Sequence, residues 1–142
     1  MPVIDASVVV DWVAPNGDPS SPSARVLAHF AREEAELLAP RLLLEEVSNA
    51  LLTGIRRRRW SGAAADDAHG LLLDLPMLFI DEPRDLRRAW ELSRRHDNHP
   101  VYDMLYVSLA ERRRTELVTA DLRLRRRLGA KPWIMTPDEI AG

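Results

Sequence analysis

The chain has 142 residues, with 20 Lys and Arg against 22 Asp and Glu for a formal net charge of −2, and 46% of its residues are hydrophobic. That size fits one domain over residues 1–142, a sheet buried beneath covering helices, with no room for a second. No apolar run approaches the length of a membrane span, and without cysteine the chain makes no disulfide, thiolate metal site or thiol nucleophile. The opening MPVIDASVVVDWV lacks a basic start and carries Asp5 and Asp11, so no secretory signal is expected and the expected location is the cytoplasm.

In chain order, PVID (2–5) reads as a short first strand and Ser7 as the cap of a helix through VVVDWV. PNGDPSSPS (15–23) is a turn-rich loop. A helix follows from about Ser23 to Glu36, then a short apolar piece, LLAP, whose Pro40 opens a long helix reaching about Trp60. The pattern next predicts a helix over 61–74, a strand LPMLFID over 75–81, an amphipathic helix over 83–96 and an apolar helix over 101–114. ELVTAD (116–121) is a strand, LRLRRRLG a short helix ended by Gly129, and PWIM a last short strand. Strands alternating with helices imply an α/β fold whose parallel sheet is covered on both faces, without repeats or an internal linker.

The net charge gives no global pull on nucleic acid, so any such binding needs local patches. Every basic residue except Lys131 is arginine, with runs at 56–59, 112–114 and 125–127. Each run alone can be a solvated helix face; together they allow anions to be met at the surface.

The segment PVYDMLYVSLA (100–110) buries one residue out of character, Asp103. An unpaired buried carboxylate costs several kcal/mol or takes up a proton, so Asp103 needs a partner, a proton or a metal. Other acids stand where a ligand would bind, since open parallel sheets take ligands at the carboxyl ends of their strands. Three strands end in aspartate, at Asp5, Asp81 and Asp121. Asp81 leads into EPRD, a helix start where an acid is expected for structural reasons. On the helix PRLLLEEVSNALLTG, Glu46 shares a face with Leu42, Asn49, Ala50 and Thr53 beside an apolar stripe, whereas Glu45 points about 100° away, toward solvent. If Asp5, Glu46, Asp103 and Asp121 converge, two like charges about 5 Å apart repel by about 3 kcal/mol at an effective dielectric near 20. Such a cluster calls for a cation, and oxygen donors alone suit Mg²⁺ or Mn²⁺. The chemistry such an ion supports is cleavage of a phosphodiester.

VIDASVVV, LEEVSNAL, VYDMLYVSLA and LVTADLRL, in that order across nearly the whole chain, resemble a PIN-domain ribonuclease of the VapC toxin type. The resemblance implies a PIN-like three-layer α/β/α sandwich with a central parallel sheet. It implies an acidic metal site at Asp5, Glu46, Asp103 and Asp121, supported by Ser7, Asn49 and Thr119, the last in a T-x-D motif. It further implies RNA cleavage dependent on Mg²⁺ or Mn²⁺, a homodimer, and inhibition by a cognate VapB-type antitoxin whose tail enters the acidic groove. Within the doublet Glu45-Glu46, Glu46 is assigned because it directly precedes Val47-Ser48-Asn49.

Two other readings compete. A response-regulator-like signalling domain would also place acids at strand ends, but the first strand ends in one aspartate rather than a pair, and Asp81 lacks the loop expected after a phosphoacceptor. A catalytically silent PIN-like module that only binds RNA or protein would keep the fold, yet all four acids are present. Nucleotide-binding glycine motifs are absent. His96 and His99 read as helix-capping or surface residues, and Trp12, Trp60, Trp90 and Trp133 as core or interface.

Overall fold

The computed structural model describes residues 1–141. Strands β1 (Val3–Ile4), β2 (Leu37–Pro40), β3 (Met77–Ile80), β4 (Leu117–Val118) and β5 (Ile134–Met135) form one sheet in the order β3-β2-β1-β4-β5, with every pairing parallel. Between and after them run α1 (Ala6–Val13), α2 (Pro22–Arg32), α3 (Leu42–Arg56), α4 (Gly62–Leu73), α5 (Pro83–Arg95), α6 (Val101–Arg113), α7 (Leu122–Arg127) and α8 (Pro137–Ala141). The chain winds from β1 toward β3, then crosses back past β1 to β4 and β5. Because β-crossover-β units are right-handed, the two directions put α1–α4 on one face and α5–α7 on the other. Helix contacts divide the same way: α1 touches α2, α3 and α4, and α5 lies along α6. This is the expected α/β/α sandwich around a central parallel sheet.

Strand residues Val3, Ile4, Leu38, Ala39, Leu117, Val118 and Ile134 are fully buried, as strands covered on both faces require. Helices close the core with Val8, Val9, Leu43, Val47, Met104, Tyr106 and Leu109. A smaller cluster of Leu51, Ala65 and Ala68 packs with Trp60. No helix among the described residues is long and apolar enough to cross a membrane.

Several local expectations are corrected. LLAP is strand β2, buried at all four positions, a short apolar run that periodicity alone cannot classify. Pro40 therefore closes a strand and does not open the next helix; lacking an N–H, it sits where pairing with β1, anchored at Leu38, has run out. Helix α3 starts at Leu42 and stops at Arg56, short of Trp60, because Arg57 caps it and Arg58 turns left-handed at φ 57°. Asp5, not Ser7, caps α1, and Ser21 caps α2 ahead of Pro22. The terminal helix α8 was not expected at all.

Candidate active site

β1 and β4 are neighbours whose onward connections leave on opposite faces, so a crevice opens at their carboxyl ends. Asp5 follows β1 there and is 5% exposed. Ser7 Oγ donates to Asp5 Oδ2 at 2.5 Å and accepts from the Ala120 amide at 3.0 Å. Thr119 Oγ1, wholly buried, donates to the same oxygen at 3.0 Å and accepts from the Asp121 amide at 3.0 Å. Two amides beyond β4 are thus coupled through two hydroxyls to one carboxylate beyond β1. With the Ser7 amide at 3.3 Å, all of these bonds fall on Oδ2, and Oδ1 is left to meet something else.

Two helices bring further acids to this crevice from opposite faces of the sheet. Glu46, on the second turn of α3, accepts from Tyr106 Oη of α6 at 2.6 Å. Asp103, in the first turn of α6, has its Oδ2 2.7 Å from His99 Nε2. Asp103 keeps about a third of its side chain exposed, at 31%. It stands with the exposed Tyr102 at the solvent-facing start of a helix whose middle, from Tyr106 to Ala110, is buried.

The three acids act on one another. Burial pushes the Asp5 carboxyl above its ordinary range and the nearby Asp103 charge adds to this, against the bonds from Ser7 and Thr119. Burial likewise raises Glu46, with Asp5 and Asp103 contributing, while the Tyr106 bond opposes. Tyr106 is held far above a normal phenol by burial and by the Glu46 charge. Among the described residues, no arginine or lysine is paired with Asp5, Glu46 or Asp103.

This donor set fits a hard divalent cation in its chemistry: oxygen ligands, uncompensated negative charge, and a carboxylate oxygen of Asp5 kept free. In the conformation described, each acid leans on its own neighbour, and among the described residues no three His, Asp or Glu side chains stand close enough together to grip one ion. Asp121 is the most detached of the expected acids. Its Oδ1 caps α7, accepting from the Arg123 and Leu124 amides at 3.0 and 3.2 Å, and it is not among the charges raising Asp5 or Glu46. It joins the others through its own amide and Thr119.

Asn49 is exposed and lines a shallow surface groove with Glu45, Ser48 and Leu52, away from the acids. Glu45 is solvated and paired with Arg41 at 2.6 Å, in keeping with the choice of Glu46. Asp81 lies exposed beyond β3, two strands from β1, where Glu82 caps α5. His96 caps α5 as expected, but His99 does not belong with it, since it enters the crevice on Asp103. Sequence reasoning also missed Tyr106 as a polar member of the site. Both stand at helical spacing from Asp103, four residues before and three after, which was the available signal. Trp90, read as core or interface, is 64% exposed on α5.

A comparison with curated protein sequences finds no match. The family model for the PIN domain matches residues 3–128, from the strand before Asp5 to the end of the helix capped by Asp121. PIN domains are generally metal-dependent nucleases, and the parallel sheet, its order and the acids at the switch point all accord with that match. The chain belongs to the PIN domain family.

Proposed function

We propose that this protein is an endoribonuclease that hydrolyses RNA phosphodiester bonds with Mg²⁺ or Mn²⁺ and serves as the VapC-type toxin of a type II toxin-antitoxin pair. The observation that carries the reading is that Asp5, Glu46 and Asp103 lie near enough at the switch point for their charges to act on one another, with no arginine or lysine paired with them among the described residues. A bound divalent ion supplies activation of water and neutralisation of charge on the phosphate.

The side chains divide the remaining work. Asp5 would bind the ion through Oδ1, while Ser7 and Thr119 fix Oδ2 and hence the plane of the carboxylate. Glu46 and Asp103 complete the donor set from α3 and α6, oriented by Tyr106 and His99, as ligand carboxylates are usually held by outer hydrogen bonds. Asp121 holds the start of α7 through Oδ1, which leaves its Oδ2 outside the capping bonds. No side-chain nucleophile is needed. A VapB-type antitoxin fits the same chemistry, because acids that no arginine or lysine of the described residues pairs with suit a basic segment of a partner, and a homodimer would be the toxin's working form. Asn49, exposed on α3, suits contact with substrate or partner rather than with the metal.

The test is cleavage of a structured RNA by the chain purified free of any antitoxin, with and without chelator, beside Asp103→Asn. Cleavage that needs Mg²⁺ or Mn²⁺ and disappears in Asp103→Asn is expected. Activity that survives chelation or the substitution overturns the reading.

A further inference from the structure

The three arginine runs differ in how far they lie from the acids and in whether their charges are free. At 1.5 Å rise per residue, Arg56 is about 15 Å along α3 from Glu46, and Arg57 to Arg59 lie beyond it. Arg113 is likewise about 15 Å along α6 from Asp103. Arg112 is committed to the buried Asp85, at 2.6 and 2.9 Å. The α7 run is the near one: Arg123 and Arg126 follow Asp121 by about 3 and 8 Å of helix rise. Asp121 itself is two hydrogen bonds from Asp5, through Thr119.

Within α7 the arginines separate by face. Leu124 and Leu128 point into the core. Arg125 leans to one side and pairs with Glu139 at 2.7 Å. Arg127 leans to the other, where it donates to the His96 carbonyl at 3.2 Å, on the loop that leads to His99 and Asp103. At about 100° per residue, Arg126 points directly away from Leu124 and Leu128, and Arg123 lies between it and the Arg127 side, toward that loop. Both are exposed, and neither has an ion-pair or side-chain hydrogen-bond partner among the described residues.

We infer that Arg123 and Arg126 bind backbone phosphates flanking the scissile bond, seating the RNA strand between α7 and the start of α6. The inference rests on the ribonuclease reading above and adds which cations position the substrate. Three or four residues apart on a helix, side chains are neighbours, so the pair forms one short cationic track leading to the acids. Their partners Arg125 and Arg127 fasten α7 to α8 and to the α5–α6 loop, which makes the track rigid.

The test uses an Asp103→Asn background and a labelled RNA oligonucleotide without divalent metal, with affinity followed by anisotropy against salt concentration. Replacing both arginines by alanine is expected to weaken binding about tenfold at low salt and to lower the slope of log K against log salt by about 1.4, two single-strand phosphate contacts at about 0.7 each. Lysine at both positions should restore the slope. In the cleavage-competent chain the double alanine variant should raise KM with kcat largely kept, whereas Arg57→Ala with Arg58→Ala leaves both unchanged. An unaltered slope in the double variant, with RNA still bound, overturns the assignment and leaves the nuclease reading standing. Absence of RNA binding by the parent chain removes both.

Discussion

Tyr106→Phe deletes one oxygen and tests whether Glu46 is a charged member of the site. Tyr106 is fully buried, and its hydroxyl reaches Glu46 Oε1 at 2.6 Å, a length typical of a bond to an ionised oxygen. Hydrogen bonds to charged groups contribute about 1.5–3 kcal/mol. Glu46 is only half-buried, so water recovers part of the loss, and about 2 kcal/mol is expected at neutral pH. For a chain of this size that lowers Tm by about 5–8 °C. The loss should shrink on acidification, because the Tyr106 bond favours the ionised carboxylate and a protonated Glu46 accepts only a neutral bond of about 1 kcal/mol. Thermal melts of both proteins between pH 7.5 and 4.5, with far-ultraviolet circular dichroism to verify the fold, measure this. Equal melting at neutral pH, or a difference that stays constant as the pH falls, would refute the view that Glu46 is charged and supported by Tyr106.

Three further outcomes follow from the same charges and packing. Asp5 and Glu46 bind protons more tightly folded than unfolded, so the stability they contribute is full below the unfolded values of 3.8 and 4.5 and is lost as pH rises through their raised folded values; Glu82 and Glu139 are lowered and act oppositely below 4.5. Metal-free melts should therefore gain stability from neutral pH down to about the unfolded values and lose it beyond, and a monotonic fall from pH 7 would contradict this. A divalent ion at a hundredfold excess over its Kd should add about 2.7 kcal/mol of stability, reversed by chelator and absent in Asp5→Asn; an ion-independent Tm would remove the metal from the site. Gly54→Ala should cost about 1–3 kcal/mol despite better helix propensity, since the new Cβ would lie 2.0 Å from Trp60 Cζ2 and displace the indole that donates to the Leu51 carbonyl at 3.0 Å; urea unfolding measures it.

The alternation of strand and helix was readable because each pattern depends on short-range rules. PVID, MLFI and ELV carry β-branched or apolar runs bounded by turn residues, and the amphipathic 83–96 segment matches α5 within a residue at its end. LLAP failed because four apolar residues fit a buried strand and a buried helical turn equally well, and Pro40 is at home at the end of one and the start of the other. Its pairings, with β1 at Leu38 and with β3 from Leu37 with Met77 to Pro40 with Ile80, settle the matter, and these are contacts across about thirty-five to forty residues of chain.

The acids were readable for a different reason. A carboxylate among Met104, Tyr106 and Val107 is an energetic anomaly visible in the string itself, whereas the groups that resolve the anomaly are ordinary residues. Tyr106 looks like core until its hydroxyl is seen to meet Glu46, sixty residues away. His99 looks like a loop residue until the turn at Asp97 and Asn98, with φ of 55° and 58°, brings it back over Asp103. Ser7 looks like a cap until Asp5 takes that place and Ser7 passes the Ala120 amide on to it. Ser7 and Tyr106 each satisfy an amide or a charge from a distant element, and Ser7 depends on the strand order that puts β4 against β1, whereas His99 depends on the turn just ahead of α6. The site's charge is thus local to the sequence, while its orientation belongs to the topology, and substitutions of Tyr106, Thr119 or Ser7 should disturb the geometry of acids that remain present.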